Sequence, residues 1–211
     1  GITPLLTIHH FTNPMWFDEL GGFTRAENLG IFLDFVGLAV RSFGDLVSEY
    51  ITINEPNVYA TESYYFGEWP PGEKSMGRAM TVMSNMAFCH IRAYELIHKI
   101  RREMGFDDTR VSFAHHMRAF DPVSLKNPLH RTGTRLMERL FQSVVTSAFC
   151  LGVFKWPLKA PSDIKRGEYI DFIAVNYYTR TIVSGFEAGT KKGAPLNDLG
   201  WEIYPEGMLR C

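Results

Sequence analysis

Apolar residues recur along this chain at two alternating spacings. Short runs rich in β-branched and aromatic residues predict strands near Leu5–His9, Tyr50–Ile53, Arg110–Ala114 and Tyr169–Val175. Between them the spacing shifts to three and four. Leu29, Leu33, Val36 and Val40 mark one face of a helix expected from Thr24 to Phe43. Thr24-Arg25-Ala26-Glu27 reads as its capping box and Gly44 as its stop. A second helix is expected from Arg78 to Met104, where Met83, Met86, Ala87, His90, Ile91, Tyr94 and Ile97 repeat at helical spacing. Arg101 and Arg102 fall in its last turn, where cations suit the helix dipole, and Gly105 follows. A third helix is expected from about Thr132 to Phe149.

Strands alternating with helices specify an α/β fold with parallel strands and right-handed crossovers. The strands begin roughly 45 to 60 residues apart, so eight such units would need on the order of 400 residues. With 211 residues, about four units are visible. A doubly wound open sheet also suits four strands, but the glycine fingerprint that opens its nucleotide-binding helix is absent. The chain therefore reads as a single partial domain, residues 1–211, containing about half of a barrel.

Composition narrows the function. Twenty-two basic and 23 acidic residues leave a formal charge of -1, which offers nothing to nucleic acid or an anionic membrane. At 45% hydrophobic and 14% aromatic the chain can bury a substantial core. Cys89, Cys150 and Cys211 are odd in number and lack metal-ligand spacing, so free thiols in a reducing compartment are expected. No membrane-length apolar run and no signal peptide are visible, and the expected location is cytoplasmic.

The candidate chemistry lies at the predicted strand ends. Tyr50-Ile51-Thr52-Ile53 delivers Asn54 and Glu55 to a tip that Pro56 stops. A carboxylate beside an amide at the end of a buried strand is where a barrel enzyme keeps an acid, whereas the same dipeptide alone could be an ordinary loop. His10 ends the first strand, and its neighbour His9 faces the other side and is expected to pack. His115-His116 is not expected to hold metal, because adjacent strand residues diverge and no further ligands accompany them.

Four segments, in order, carry a resemblance. They are Ile8-His9-His10-Phe11-Thr12-Asn13-Pro14-Met15-Trp16, Thr52-Ile53-Asn54-Glu55-Pro56-Asn57, Asp171-Phe172-Ile173-Ala174-Val175-Asn176-Tyr177-Tyr178-Thr179 and Gly200-Trp201-Glu202-Ile203-Tyr204-Pro205-Glu206-Gly207. Together they resemble glycoside hydrolase family 1, the β-glucosidase family, over nearly the whole chain. The resemblance implies the third to sixth strands of a TIM (β/α)8 barrel and a retaining β-glycosidase that needs no cofactor or metal. It implies that Glu55 is the acid/base, that Tyr178 orients the nucleophile, and that His10, Phe11, Asn54, Asn176 and Trp201 bind the sugar. Glu55, Tyr178, His10 and Asn54 are expected together on one side of the sheet, at the C-terminal ends of parallel strands. Phe11 stands where the family often has tryptophan, which keeps the apolar platform and loses an indole donor. His116 stands where it commonly has asparagine, which suggests a cleft-lining role. The aromatic loop Tyr64 to Gly72 suits a cleft rim.

The resemblance also implies what this stretch lacks. Retention needs two carboxyl groups about 5 Å apart, and the family's nucleophile glutamate lies on the seventh strand. Glu202 and Glu206 match no nucleophile motif. Gly152 to Gly167 is a short version of the family's connection into the sixth strand. The expected partners are a β-linked glucoside and the missing barrel strands, without which the chain is expected to be inactive. A noncatalytic carbohydrate-binding or scaffold half-barrel is the alternative.

Overall fold

The computed structural model describes all 211 residues. It divides into two compact units, Gly1–His115 with Val144–Ala174, and His116–Ser143 with Val175–Cys211. In chain order the elements are β1 (Leu5–His9), α1 (Met15–Glu19), α2 (Leu29–Phe43), β2 (Glu49–Asn54), α3 (Pro56–Thr61), α4 (Met76–Glu103), β3 (Arg110–Pro122), α5 (Pro128–Glu138), α6 (Val144–Leu151), β4 (Ala174–Ser184) and β5 (Glu187–Gly189). No helix is long and apolar enough to cross a membrane.

In the first unit β1 pairs parallel with β2, Leu5 opposite Glu49 and His9 opposite Ile53. β2 pairs parallel with β3, Glu49 opposite Arg110. The register slips between Ile51 and Asn54, so β2 carries a bulge just before its tip. Bulges of this kind re-aim side chains beside functional sites. Tyr50, Ile51, Thr52 and Ile53 are all buried, as a strand covered on both faces requires. α4 supplies the largest helical share of the core, with Met83, Met86, Ala87, Ile97 and Ile100 packed among Phe23, Val36, Val40, Phe113 and Phe149.

Three expectations shift at element ends. The helix expected from Thr24 begins as two 3-10 turns, Gly22–Thr24 and Ala26–Asn28, and becomes α-helical only at Leu29. No capping box forms, and the Thr24 hydroxyl donates to the Gly21 carbonyl at 2.5 Å. α4 starts earlier than expected, where the Ser75 hydroxyl accepts from the Arg78 amide at 3.3 Å. Arg101 goes beyond complementing the helix dipole. It is buried, its guanidinium donates to the Gly44 carbonyl and to Asp108, and it lies 4.1 Å over the Phe106 ring.

The fourth strand begins at Ala174 rather than near Tyr169. Residues 169–173 are held by other bonds. The Asp171 amide donates to the Val111 carbonyl at 2.8 Å, and its carboxylate accepts from the Val111 amide at 2.7 Å. The same carboxylate takes the Tyr94 hydroxyl and the His98 ring, each at 2.8 Å. The Ser112 hydroxyl donates to the Phe172 carbonyl at 2.7 Å. Side chains thus replace a regular ladder.

In the second unit the far part of β3 is followed by β4 and β5 in the strand order. β4 and β5 form an antiparallel hairpin, Ser184 opposite Glu187, closed by Gly185-Phe186. Gly185, at φ +64°, takes the first central position and Phe186 has no positive φ, the type II′ pattern that calls for glycine first.

His90 and His9 are buried in the first unit, and burial lowers their pKa from 6.5 to about 3 and about 4. His90 bridges Thr52 Oγ1 at 2.7 Å and the Tyr169 carbonyl at 2.9 Å. Below pH 6.5 the unfolded chain binds protons that these rings in the folded chain refuse, so stability falls as pH drops toward their folded values. Each histidine contributes about 2 kcal/mol of loss by pH 5. Asp121 and Glu202, held below their ordinary 3.8 and 4.5 by Arg210 and Arg180, lose their contribution only at lower pH. Urea unfolding of the protein is expected to show a lower midpoint at pH 5 than at pH 7.5. An unchanged midpoint would mean that the two rings charge without cost in the fold.

Candidate active site

The first unit brings His10, Phe11, Asn54 and Glu55 to the ends of β1 and β2. Glu55 follows the last residue of β2 and is the N-cap of α3, with Pro56 at the first helical position. Its backbone is left-handed, φ 44° and ψ 61°. Such a conformation costs a non-glycine residue about 1–2 kcal/mol, and such strain collects where the surrounding structure holds a functional side chain in place. Here the hold is visible. The Glu55 amide donates to the Ala114 carbonyl at 2.7 Å, and its own carbonyl accepts from the amides of Val58 and Tyr59 at 3.0 Å each. Glu55 is 5% exposed and Asn54 6%, so a carboxyl group and an amide stand together, largely out of water. The Asn54 amide donates to His10 Nε2 at 3.2 Å.

Phe11 is the only other non-glycine residue at positive φ, 69°. Its ring lies 5.0 Å from that of His10 and 4.8 Å from that of Trp69. His9 turns the other way into the core, edge-on to Phe23 and Tyr59 at 5.3 Å each. The aromatic loop after β2 divides. Tyr65 and Phe66 are exposed, but Tyr64 is buried against Tyr59 at 5.9 Å and is unavailable to a ligand.

The second unit places Asn176 and Tyr178 two residues apart on β4, hence on one face of it. Tyr178 is about half exposed. Its ring meets His116 at 5.1 Å and Trp201 at 5.6 Å, both near edge-on. His116 is buried and its Nε2 accepts from Arg118 Nε at 2.9 Å. That guanidinium also lies 5.7 Å from the Trp201 ring centre and 5.5 Å from that of Phe141. No group of three or more His, Cys, Asp or Glu side chains is placed to hold a metal ion.

A charged network in this unit has little trace in the sequence. Arg180 reaches both oxygens of Glu202, Nε to Oε2 at 2.9 Å and the terminal nitrogen to Oε1 at 2.7 Å. It also donates to Asp121 at 3.2 Å, which in turn takes both terminal nitrogens of Arg210 at 2.8 and 2.9 Å. Arg180 and Arg118 each sit two positions along a strand from an aromatic site candidate, Tyr178 and His116, which is the one sequence signal for them. Glu202, being buried and clasped at both oxygens, is held ionised below its ordinary pKa. A buried carboxylate so engaged, each oxygen taking one guanidinium N–H, is a structural partner of Arg180. It ties the backbone next to Trp201 to β4, an arrangement completed by the Tyr177 hydroxyl donating to the Tyr204 carbonyl at 2.5 Å.

Parallel strands that carry their polar chemistry at the C-terminal tips are the arrangement of barrel enzymes, and comparison with known proteins identifies which. The sequence matches glycosyl hydrolase family 1 over residues 1–209, and the chain belongs to that family. The β-glycosidase from Pyrococcus horikoshii superposes with a TM-score of 0.87 at 30% identity, covering all of this chain and 49% of that one. β-Glucosidase A of Thermotoga maritima is 27% identical over 99% of this chain and 49% of its own length. The chloroplast galactolipid galactosyltransferase of Arabidopsis thaliana is 26% identical over the whole chain and 32% of its own. The chain thus carries part of a (β/α)8 barrel and spans 32% to 49% of the length of these relatives.

The turn at Glu55 makes a stability test. At ordinary positions alanine is favoured over glycine by about 0.5–1 kcal/mol. At a left-handed residue the order inverts, because alanine keeps the Cβ penalty. Glu55→Gly is expected to be more stable than Glu55→Ala by about 1 kcal/mol in denaturant unfolding. Alanine above glycine would contradict a left-handed Glu55.

Proposed function

We propose that this chain is the acid/base-bearing part of a retaining β-glycosidase of the β-glucosidase type. The observation that carries the reading is Glu55, a buried carboxyl group in a left-handed turn at a strand tip, beside the Asn54–His10 hydrogen bond. In this reading the protonated Glu55 gives its proton to the glycosidic oxygen as the bond to the anomeric carbon breaks. A nucleophile carboxylate, which we place outside residues 1–211, bonds to that carbon on the opposite face. Glu55, now ionised, takes a proton from water as the water oxygen displaces the nucleophile. Net retention follows from two inversions.

The remaining residues bind and orient. Asn54 donates to the sugar 2-hydroxyl, a contact that strengthens in the transition state. His10, Asn176 and Trp201 supply further sugar contacts, and Phe11 supplies an apolar platform. The Tyr178 hydroxyl donates to the nucleophile and holds its charge and direction. The substrate class is β-linked glucosides and related glycosides, and no step calls for a cofactor or a metal. Residues 1–211 act as one partial domain, completed by the remaining barrel strands.

The galactosyltransferase among the relatives favours a second reading of the same chemistry. There the ionised Glu55 takes its proton from a sugar hydroxyl, and that oxygen instead of water receives the glycosyl group. Chromatography of products formed from a β-glycoside with and without added monosaccharide separates the two. Free sugar alone supports hydrolysis, and a new disaccharide supports transfer.

Glu55→Gln in the complete protein tests the acid role. General acid catalysis is worth about 10²–10⁴-fold, so kcat/KM on alkyl glycosides is expected to fall by that order. On substrates with acidic phenol leaving groups it should fall far less, because these depart without help. An equal loss across leaving groups would remove Glu55 from the role.

A further inference from the structure

We propose that a cavity of about 330 Å³ in the first unit, walled by Phe11, Asn13, Asp18, Tyr59, Ser63 and Trp69, is a second sugar-sized site that takes a neutral monosaccharide. Glu55, Asn54 and His10 are absent from its wall. The volume is at the lower end of the roughly 300–1,000 Å³ typical of small-molecule pockets, room for one pyranose.

The polar wall shows what it would bind. Asn13 makes three of its four possible hydrogen bonds. Its amide nitrogen donates to Asp18 Oδ1 at 2.9 Å and to the Tyr59 hydroxyl at 2.7 Å, and its oxygen pairs with His9 Nε2 at 3.1 Å. The Tyr59 hydroxyl is shared with Tyr64 as well. Beside the solvent-facing Thr12 hydroxyl, two groups are left over. The Ser63 hydroxyl is fully buried and has no hydrogen-bond partner, a condition that costs about 1–3 kcal/mol unless a ligand or water relieves it. Asp18 makes its one side-chain hydrogen bond through Oδ1, so Oδ2 is available as an acceptor.

An acceptor carboxylate and a hydroxyl that can donate or accept suit a ligand carrying two or more hydroxyl groups. No cationic side chain lines the cavity and Asp18 repels an anion, so sugar phosphates and carboxylates are disfavoured. Phe11 and Trp69, tilted 60° to each other, offer apolar ring faces to the C–H side of a pyranose. Phe11, which the proposed function also uses as a sugar platform, would then be shared by the two sites.

Isothermal titration of the complete protein with glucose, with and without saturating deoxynojirimycin, tests this. Glucose binding is expected to persist when the inhibitor fills the catalytic pocket. It should weaken at least tenfold in Asp18→Asn, which keeps the oxygen facing Asn13 and replaces Oδ2 by a donor. Ser63→Ala, which removes only a partnerless hydroxyl and leaves the fold intact, should weaken it likewise. Glucose binding abolished by the inhibitor, or persisting with unchanged affinity in both variants, would overturn the site. If deoxynojirimycin itself fails to bind, the glycosidase reading fails, and the glucose titration of the two variants still reads the cavity alone.

Discussion

The left-handed turn at Glu55 is the constraint around which the first unit is arranged. A buried parallel strand must end somewhere, and β2 ends by leaving the sheet through a bulge, one left-handed residue and a proline that opens α3. The backbone cost of the turn is offset by three hydrogen bonds on Glu55's own amide and carbonyl. The carboxyl group is thereby carried on rigid elements on both sides. A side chain on a free loop would have to be immobilised at the moment of reaction, whereas this one is placed during folding.

Around that turn the interior is tied by polar side chains rather than by apolar packing alone. His90 joins β2 to the segment before β4, and the Asp171 carboxylate occupies the place of a strand partner on β3. Arg101 clamps the end of α4 to the Gly44 carbonyl. Breaking the buried pairs of His90 and Arg101 leaves an uncompensated polar group, which costs more than the pair itself contributes. Burial, working against their hydrogen bonds, keeps His9 and His90 neutral. In the second unit the Arg180–Glu202 clasp does comparable work for the segment bearing Trp201.

Much of this was legible in the residues. β1 and β2 fall on their β-branched runs, Pro56 marks a boundary because it suits only a helix's first turn, and Gly105 because it accepts the left-handed φ of +89° that ends α4. The family is legible because its motifs sit at strand tips, where chemistry rather than packing fixes residue identity. What failed to show were features that depend on partners distant in sequence. Tyr169 to Ile173 has a strand's composition, but its hydrogen bonds go to His90, Tyr94, His98 and Ser112, so the regular strand starts later. The capping box at Thr24 lost to a 3-10 start in which the hydroxyl bonds back to Gly21. Tyr64 reads like its exposed neighbours in the aromatic loop, yet the helical turn through Glu62–Phe66 directs it inward. Glu202 reads as a spare carboxylate until Arg180, 22 residues away, is seen to hold both oxygens.

The division of labour between Glu55 and a nucleophile elsewhere is open to a direct measurement. A 2-deoxy-2-fluoro β-glucoside with a reactive leaving group traps the glycosyl–enzyme ester of a retaining glycosidase, and peptide mass mapping locates the bound sugar. On the complete protein the label should fall on a carboxylate outside residues 1–211 and should not appear on Glu55, Glu202 or Glu206. A label on any of those three would place the nucleophile within this chain and contradict the role assigned to Glu55 or the structural role assigned to Glu202.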